Sequence, residues 1–417
     1  GPVGNHQFKN FELRVTAKTA PHSNSGVYFH TEYQESGWPE KGYEVQINNG
    51  HSGSGTYVEL KQTGSLYAVQ NLYKNFVPND QWFTMRIRVV VPRVQIWVND
   101  ILCVDYVEPP NPIRRARMPG RRLGKGTIAL QGHDPGSRVA FRSVEIRLLP
   151  DDADPFVEPR SDTTPYGITE NLIDKMGANF VPVIDFHVHL RGGMTAEKAV
   201  QRQAVTGVNV GVLRNVGKGW PIETNEQLRA FLDSVDGLPV FVGIQVNDRD
   251  WMTHFDKELL ARLDYILGDT MIMPMPDDES EPVKLWMPEL YTIDDPEAWM
   301  ERYMAHNLRV VSEPITILAN PTYLPPPVEH LYDQLWTDAR MKRLIEAAVA
   351  NNVAFEINAR SGLPHDRFIR LAKSMGAKFT LGTNNFDDKP IDMSRCFEVI
   401  EKFELGKGDM HVPKPKH

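Results

Sequence analysis

The sequence predicts two domains of different class, an all-β sandwich over residues 1–150 and an α/β barrel over residues 181–405. Three observations lead there. The chain has 417 residues, more than one ordinary domain. As far as residue 150, short stretches rich in β-branched and aromatic residues alternate with turn residues. From residue 181, strand-like apolar runs alternate with helical ones, which implies a parallel sheet, and their number implies closure into a barrel.

The sandwich strands are read from "FELRVTA", "SGVYFHTEY", "GYEVQIN", "WFTMRIRVVV", "VQIWVND", "GTIALQGH" and "RVAFRSVEIRLL". Many alternate with period two, as Arg86 and Arg88 do against Met85, Ile87 and Val89. "WVNDIL" predicts a hairpin turning at Asn99-Asp100. "EPPNPIRRARMPGRRLGKG" reads as a basic, solvated loop. Residues 151–180, rich in Asp, Pro and Thr, read as a linker with one short helix. The barrel strands open at "VPVIDFHVHL", "VNVGVLRN" and "LPVFVGIQVN" and continue through "ITILAN", "VAFEIN" and "KFTLGTN". Residues 406–417 read as an unstructured tail.

Composition excludes several classes. A net charge of −8 lacks the basic surface that non-specific nucleic-acid binding needs. No apolar run reaches membrane-spanning length. Cys103 and Cys396, far apart, are expected to be buried thiols rather than a disulfide or a zinc site. The chain begins Gly1-Pro2, so the expectation is a processed form, its export signal removed and its location periplasmic or extracytoplasmic.

In "VIDFHVHLRGG", Asp185, His187 and His189 fall on one face of an ideal strand and offer three metal-ligand types together. Other polar groups close the later strands: Arg214, Asn215, Gln245, Asn320, Glu356, Asn358 and Asn384. These are C-terminal strand ends, where barrel sites lie.

With "LDYILGD", "ILANPTYLP" and "FEINARSGLPHDRFIRLAKSMGAKFTLGTNNFDD", that motif resembles the polymerase-and-histidinol-phosphatase family over some 220 residues. The resemblance implies a seven-stranded barrel with a multinuclear metal site for phosphate-ester hydrolysis. His187 and His189 are kept. Elsewhere the expected ligands are replaced, by Leu213-Arg214-Asn215, Gln245, Met271, Asn320 and Thr383-Asn384-Asn385-Phe386. Amides, Met and Phe bind hard cations weakly or not at all. At most one divalent metal is expected, on His187 and His189 with Glu356 or water. The other reading is a metal-free pocket lined by Arg214, Asn215, Gln245, Asn320 and Asn384, suited to a sugar. "FHVHLR" is also similar to amidohydrolases, but no bridging Lys accompanies it.

The first half, residues 8–149, resembles the 3-keto-disaccharide hydrolase domain family, a concanavalin-like jelly roll, through "FKNFELRVTAKT", "SNSGVYFH", "GYEVQIN", "TGSLYAV" and "GTIALQGHDPGSRVAFRSVEIRLL". The resemblance implies cleavage of a glycoside oxidised at C3. The ketone acidifies the C2 proton, a base removes it, the C1 substituent leaves by β-elimination, and water then adds. Glu44 is the expected base and His133 or His30 the acid. Gln46 shares a strand face with Glu44, and Tyr43, Trp82 and Tyr67 are expected to stack on a sugar. The expected partner is a carbohydrate substrate, and an open sheet edge would invite a homo- or hetero-oligomer. A single-metal hydrolase and a non-catalytic sugar-binding or assembly protein remain the alternatives.

Overall fold

The computed structural model describes residues 6–51, 53–54, 57–156, 164–274 and 282–415; the start at Gly1-Pro2 and the middle of the 151–180 linker lie outside them. Among the described residues ten strands build the first half: β1 (Phe11–Thr19), β2 (Asn24–Thr31), β3 (Tyr43–Asn48), β4 (Gly53–Ser54), β5 (Tyr57–Val58), β6 (Phe83–Val90), β7 (Arg93–Val98), β8 (Ile101–Val107), β9 (Thr127–Leu130) and β10 (Val139–Leu148). A five-stranded antiparallel sheet runs β10-β1-β6-β7-β8, and a three-stranded one runs β3-β2-β9. Alternation sets the core. Phe11, Leu13, Val15, Met85 and Ile87 face Val27, Phe29, Val45 and Ile47. The expected hairpin joins β7 to β8, with Asn99 and Asp100 both at positive φ. Strand β10 has no second neighbour among the described strands. Its Val144, Ile146 and Leu148 are 44%, 39% and 63% exposed although they pair with core residues of β1.

The second half is a closed parallel barrel. Its strands are β11 (Ile184–His189), β12 (Asn209–Val216), β13 (Phe241–Val246), β14 (Tyr265–Asp269), β17 (Ile317–Ala319), β18 (Ala354–Asn358) and β19 (Phe379–Gly382). A small antiparallel pair, β15 (Ile272–Met273) and β16 (Val283–Lys284), interrupts the series. Helices cover the barrel outside, and Phe186, Leu213, Tyr265, Leu267 and Ile317 fill it inside.

The ideal-strand reading of β11 fails at one point. The register with β12 shifts between Asp185 and Val188, and a bulge re-aims the side chains beyond it. Asp185 turns to Arg202 of the covering helix α2 (Ala196–Thr206) and to Thr383. His187 instead meets Glu356 across the barrel. Asp185, His187 and His189 therefore do not share a face.

The domains are interlocked rather than strung on a linker. Helix α1 (Glu170–Ala178) of the expected linker docks on the sandwich, where Asp174 pairs with Arg114 at 2.8 Å and accepts from Tyr106 at 3.0 Å. A Cβ on Gly177 would overlap the Val69 carbonyl, so this close approach requires glycine. Sandwich residues Leu60 and Tyr73 pack into the N-terminal end of the barrel. There the Tyr73 amide donates to Asn209 Oδ1 at 2.9 Å, and Asn209 Nδ2 donates to the Asn71 carbonyl at 2.8 Å. The tail is ordered as far as residue 415, against expectation. Met410 bridges to Phe379, His411 donates its amide to the Phe379 carbonyl, and Val412 joins the barrel interior. Backbone pairing along β19 and burial of these apolar side chains hold a segment whose composition suggests none.

Two outcomes follow from this arrangement. Tyr73→Ala empties a buried aromatic site and should cost about 3–5 kcal/mol in denaturant-induced unfolding. Burial lowers the His411 imidazole from 6.5 to about 4. The unfolded chain then binds a proton that the folded chain refuses, so stability held above pH 6.5 is lost as pH falls toward 4. His411→Gln should flatten that part of the stability–pH curve.

Candidate functional site

Two polar constellations stand out, one in each domain. In the sandwich, β3 alternates: Tyr43, Val45 and Ile47 enter the core, and Glu44, Gln46 and Asn48 take the opposite face. Glu44 is 4% exposed and satisfied from three sides. Tyr28 donates to it at 2.7 Å, Gln131 at 2.9 Å and Arg121 at 3.2 Å. A Cβ on Gly26 of β2 would overlap its carboxylate, so a bare backbone makes the room. Burial raises its pKa despite Arg121 and the hydrogen bonds from Tyr28 and Gln131. Gln46 lies on the same face and donates to Asn24 at 2.9 Å.

The chain after β5 folds back along β3, with the Tyr67 amide on the Glu44 carbonyl at 2.9 Å and the Gln46 amide on the Ser65 carbonyl at 3.0 Å. It brings a second buried carboxylate, Glu59, which pairs with Lys61 at 2.6 Å and accepts from Tyr57 at 2.5 Å and Tyr67 at 3.3 Å. Burial opposes the charge on Glu59, but Lys61 outweighs it and the pKa is lowered. The Lys61 ammonium lies 3.9 Å from the Phe180 ring centroid and 4.6 Å from that of Tyr67.

Several expected sandwich residues lie elsewhere. His30 is buried on the core side against Phe11 and Phe29, and both its ring nitrogens meet backbone, at Lys9 O and Gly124 N. It has no nitrogen left for a leaving group. Tyr43 is a core residue whose hydroxyl binds Glu108 and Arg114, so it cannot stack on a sugar at the Glu44 face. Trp82 is on the outer face of the other sheet, between Lys18 and Arg142. His133 sits two residues beyond Gln131, paired with Asp134 at 2.8 Å and against the exposed Trp38. Tyr67 packs on Phe180. The basic loop is not simply solvated: Arg114 and Arg121 turn inward.

In the barrel, the polar groups gather at the C-terminal strand ends. His187 is wholly buried, with Nδ1 2.5 Å from Glu356 Oε1 and Nε2 without a partner. Glu356 Oε2 accepts from the Asn320 amide at 2.9 Å and from Asn358 at 3.1 Å. A Cβ on Gly382 would overlap both Glu356 Oε1 and His187. Burial lowers the His187 pKa, but the Glu356 carboxylate outweighs it and the net shift is upward. His189, buried beside His187 and within reach of Asn384 and Asn215, shifts strongly downward. Asp269 accepts from Gln245 at 3.0 Å and Asn320 at 3.4 Å, and burial raises its pKa. Asn215 donates to Gln245 at 2.8 Å. The rim holds Arg191 and Arg360 near the exposed Phe386 ring.

Asn215, Gln245, Asn320 and Asn384 thus come together with His187 and His189. Arg214 does not: the pleat exposes it on the face opposite Asn215. Nor do His187, His189 and Glu356 form a metal triad. Glu356 is spent on His187 Nδ1, and among the described residues no three His, Cys, Asp or Glu side chains are arranged to hold a metal ion. Sequence reasoning missed Arg121, Gln131, Glu59, Lys61 and Asp269. Asp269 ends "LDYILGD", a strand-end signal, and Tyr57, Glu59 and Lys61 share a period of two. For Arg121 there was no local signal.

The chain thus joins an antiparallel β-sandwich to a closed seven-stranded parallel barrel, each with a buried polar cluster. Residues 3–147 match the family described as a 3-keto-alpha-glucoside-1,2-lyase-like domain. This supports a carbohydrate-related role for the sandwich. No curated protein matches the chain. Among solved structures, a protein from Parabacteroides distasonis provisionally described as a glycosyl hydrolase is similar at 21% identity, over 34% of this chain and 74% of its own, with a TM-score of 0.30. A second from that organism has 23% identity over 34% and 80%, also at 0.30. A carbohydrate-binding module from Bacillus subtilis has 11% identity over 34% and 76%, at 0.22.

Gly382→Ala should drive Glu356 away from His187 and destabilise the barrel by about 1–3 kcal/mol, measured by chemical unfolding.

Proposed function

We propose that the chain is a carbohydrate-active enzyme cleaving 3-keto-glycosides by C2 deprotonation, β-elimination and hydration. One observation carries the proposal: within the residues matching the lyase-like family, Glu44 is a buried carboxylate of raised proton affinity, fixed by Tyr28, Gln131 and Arg121. A carboxylate made more basic by burial is suited to take the C2 proton. Arg121, already beside it, supplies the positive charge that an enolate oxygen at C3 requires. His133, on a polar loop two residues from Gln131, is the acid for the leaving group. Tyr57, Tyr67 and Phe180 offer aromatic surface beside Lys61.

The test is turnover of a 3-keto-glucoside with a chromogenic leaving group. Glu44→Gln keeps the size of the side chain and removes the base, so release should fall by about 10²–10⁴-fold. Release unchanged in this variant would remove Glu44 from the mechanism. Sugar binding without release by the unaltered protein would favour the non-catalytic alternative.

A further inference from the structure

We infer that the seam between sandwich and barrel is a carbohydrate-binding site separate from both polar clusters, and that its ligand is a short uncharged oligosaccharide touching the two domains at once. Such a site stands whether or not Glu44 is a catalytic base.

A cleft of about 890 Å³ opens along the seam. Ligand pockets commonly measure roughly 300–1,000 Å³ and favour domain interfaces. The sandwich wall comes from the β1–β2 connection at Pro21 and His22, from residues 74–79, and from Asn99 at the β7–β8 turn. The barrel wall comes from the end of helix α3 (Asn225–Ser234), from Asp236 and Leu238 after it, and from Arg262 and Asp264 ahead of β14. Neither Glu44, Glu59 and His187 nor the side chains bonded to them line it.

The lining decides the class of ligand. Lys74 is held by Asp264 at 2.7 Å and Arg262 by Asp233 at 2.7 Å, so both cations already have a carboxylate partner. The exposed Asp236 adds negative charge. A phosphate or carboxylate would therefore find no countercharge here. Asn79 Oδ1 accepts from Thr19 at 3.2 Å, and Asn99 Oδ1 accepts from the Thr84 amide at 3.0 Å. Each amide is anchored by its oxygen, and its Nδ2 has no partner among the described residues. These N–H groups donate and Asp236 accepts, the two roles that sugar hydroxyls need. Phe76 on one wall and Leu238 on the other, both half-buried, offer apolar surface to the C–H face of a pyranose ring. Strand β13, which contributes Val242, is paired on both sides, so a peptide cannot add to it as a further strand. The sandwich wall also lies within the residues that match the carbohydrate-related family.

Lys74 and Asp264 belong both to the cleft and to the contact that joins the domains. The ligand therefore binds only the folded, assembled chain, and binding raises the unfolding midpoint.

The experiment titrates the full-length protein by calorimetry with maltotriose and, separately, with cellotriose, the α- and β-linked trimers of glucose. At least one should bind at millimolar concentration or below, with one site per chain, and should raise the thermal-unfolding midpoint. Asn79→Ala should weaken that binding about tenfold. Leu238→Trp, which fills the cleft, should abolish it, and Glu44→Gln should leave it unchanged. Absence of binding by both trimers overturns the inference. So does binding that survives Leu238→Trp and is lost in Glu44→Gln, which would put the sugar on the sandwich face. Affinity unchanged in Asn79→Ala overturns it as well, even where Leu238→Trp lowers the ligand-free midpoint. Inorganic phosphate bound in place of the trimers, and displaced by Leu238→Trp, would overturn the class of ligand.

Discussion

The structure turns on the contact that closes the N-terminal end of the barrel. A parallel barrel has an apolar interior that must be sealed at the end not used for chemistry. Here the seal comes from outside the barrel. Tyr73 and Leu60 arrive from the sandwich and Val412 from the tail. Asn209 fixes them by exchanging hydrogen bonds with the backbone of Asn71 and Tyr73. A buried amide with both ends satisfied holds one register, because any shift leaves polar groups unpaired in an apolar place. Gln70, donating to the Ala204 carbonyl at 2.6 Å, and Lys74, 2.7 Å from Asp264, extend the same clasp.

Because the clasp occupies one end, the polar chemistry of the barrel is confined to the other. The segment that forms the plug also builds the Glu44 and Glu59 clusters before it reaches Tyr73. One stretch, residues 57–75, thus serves the sandwich site and the barrel seal. The tail adds to this: Lys407 donates to the Val58 carbonyl at 2.6 Å, beside Tyr57. The order of sandwich, helix α1, barrel and tail is therefore one folded unit, with Phe180 of the expected linker contributing an aromatic wall to the sandwich cluster.

Several buried carboxylates are neutralised by a neighbouring cation. Glu44 has Arg121, Glu59 has Lys61, Asp174 has Arg114 and Asp185 has Arg202. Such pairs offset by attraction and hydrogen bonding part of what burial removes, and for Glu44 and Asp174 burial still raises the proton affinity. Asp269 has only amides and the Met271 backbone as its named partners, and burial raises its proton affinity.

Period-two runs were enough to place the sandwich strands, the Asn99-Asp100 turn and the β/α alternation of the barrel, because each is a local pattern of burial. The same logic placed Glu44 and Gln46 opposite Val45, and put His187, Asn215, Gln245 and Asn320 at strand ends. It could not see the bulge that turns Asp185 away, since an extra residue in a strand leaves no periodic mark. It could not assign His30 and Tyr43 to the core, because their partners Lys9, Gly124, Glu108 and Arg114 come from distant loops. Arg121 reached Glu44 across 77 positions, and the tail gained its order only from β19 and the barrel interior. The sequence by itself determined which segments are strands and which residue types crowd their ends. Tertiary structure alone decided which of those side chains meet, because a buried charge is placed by the partner that neutralises it, and that partner can lie anywhere in the chain.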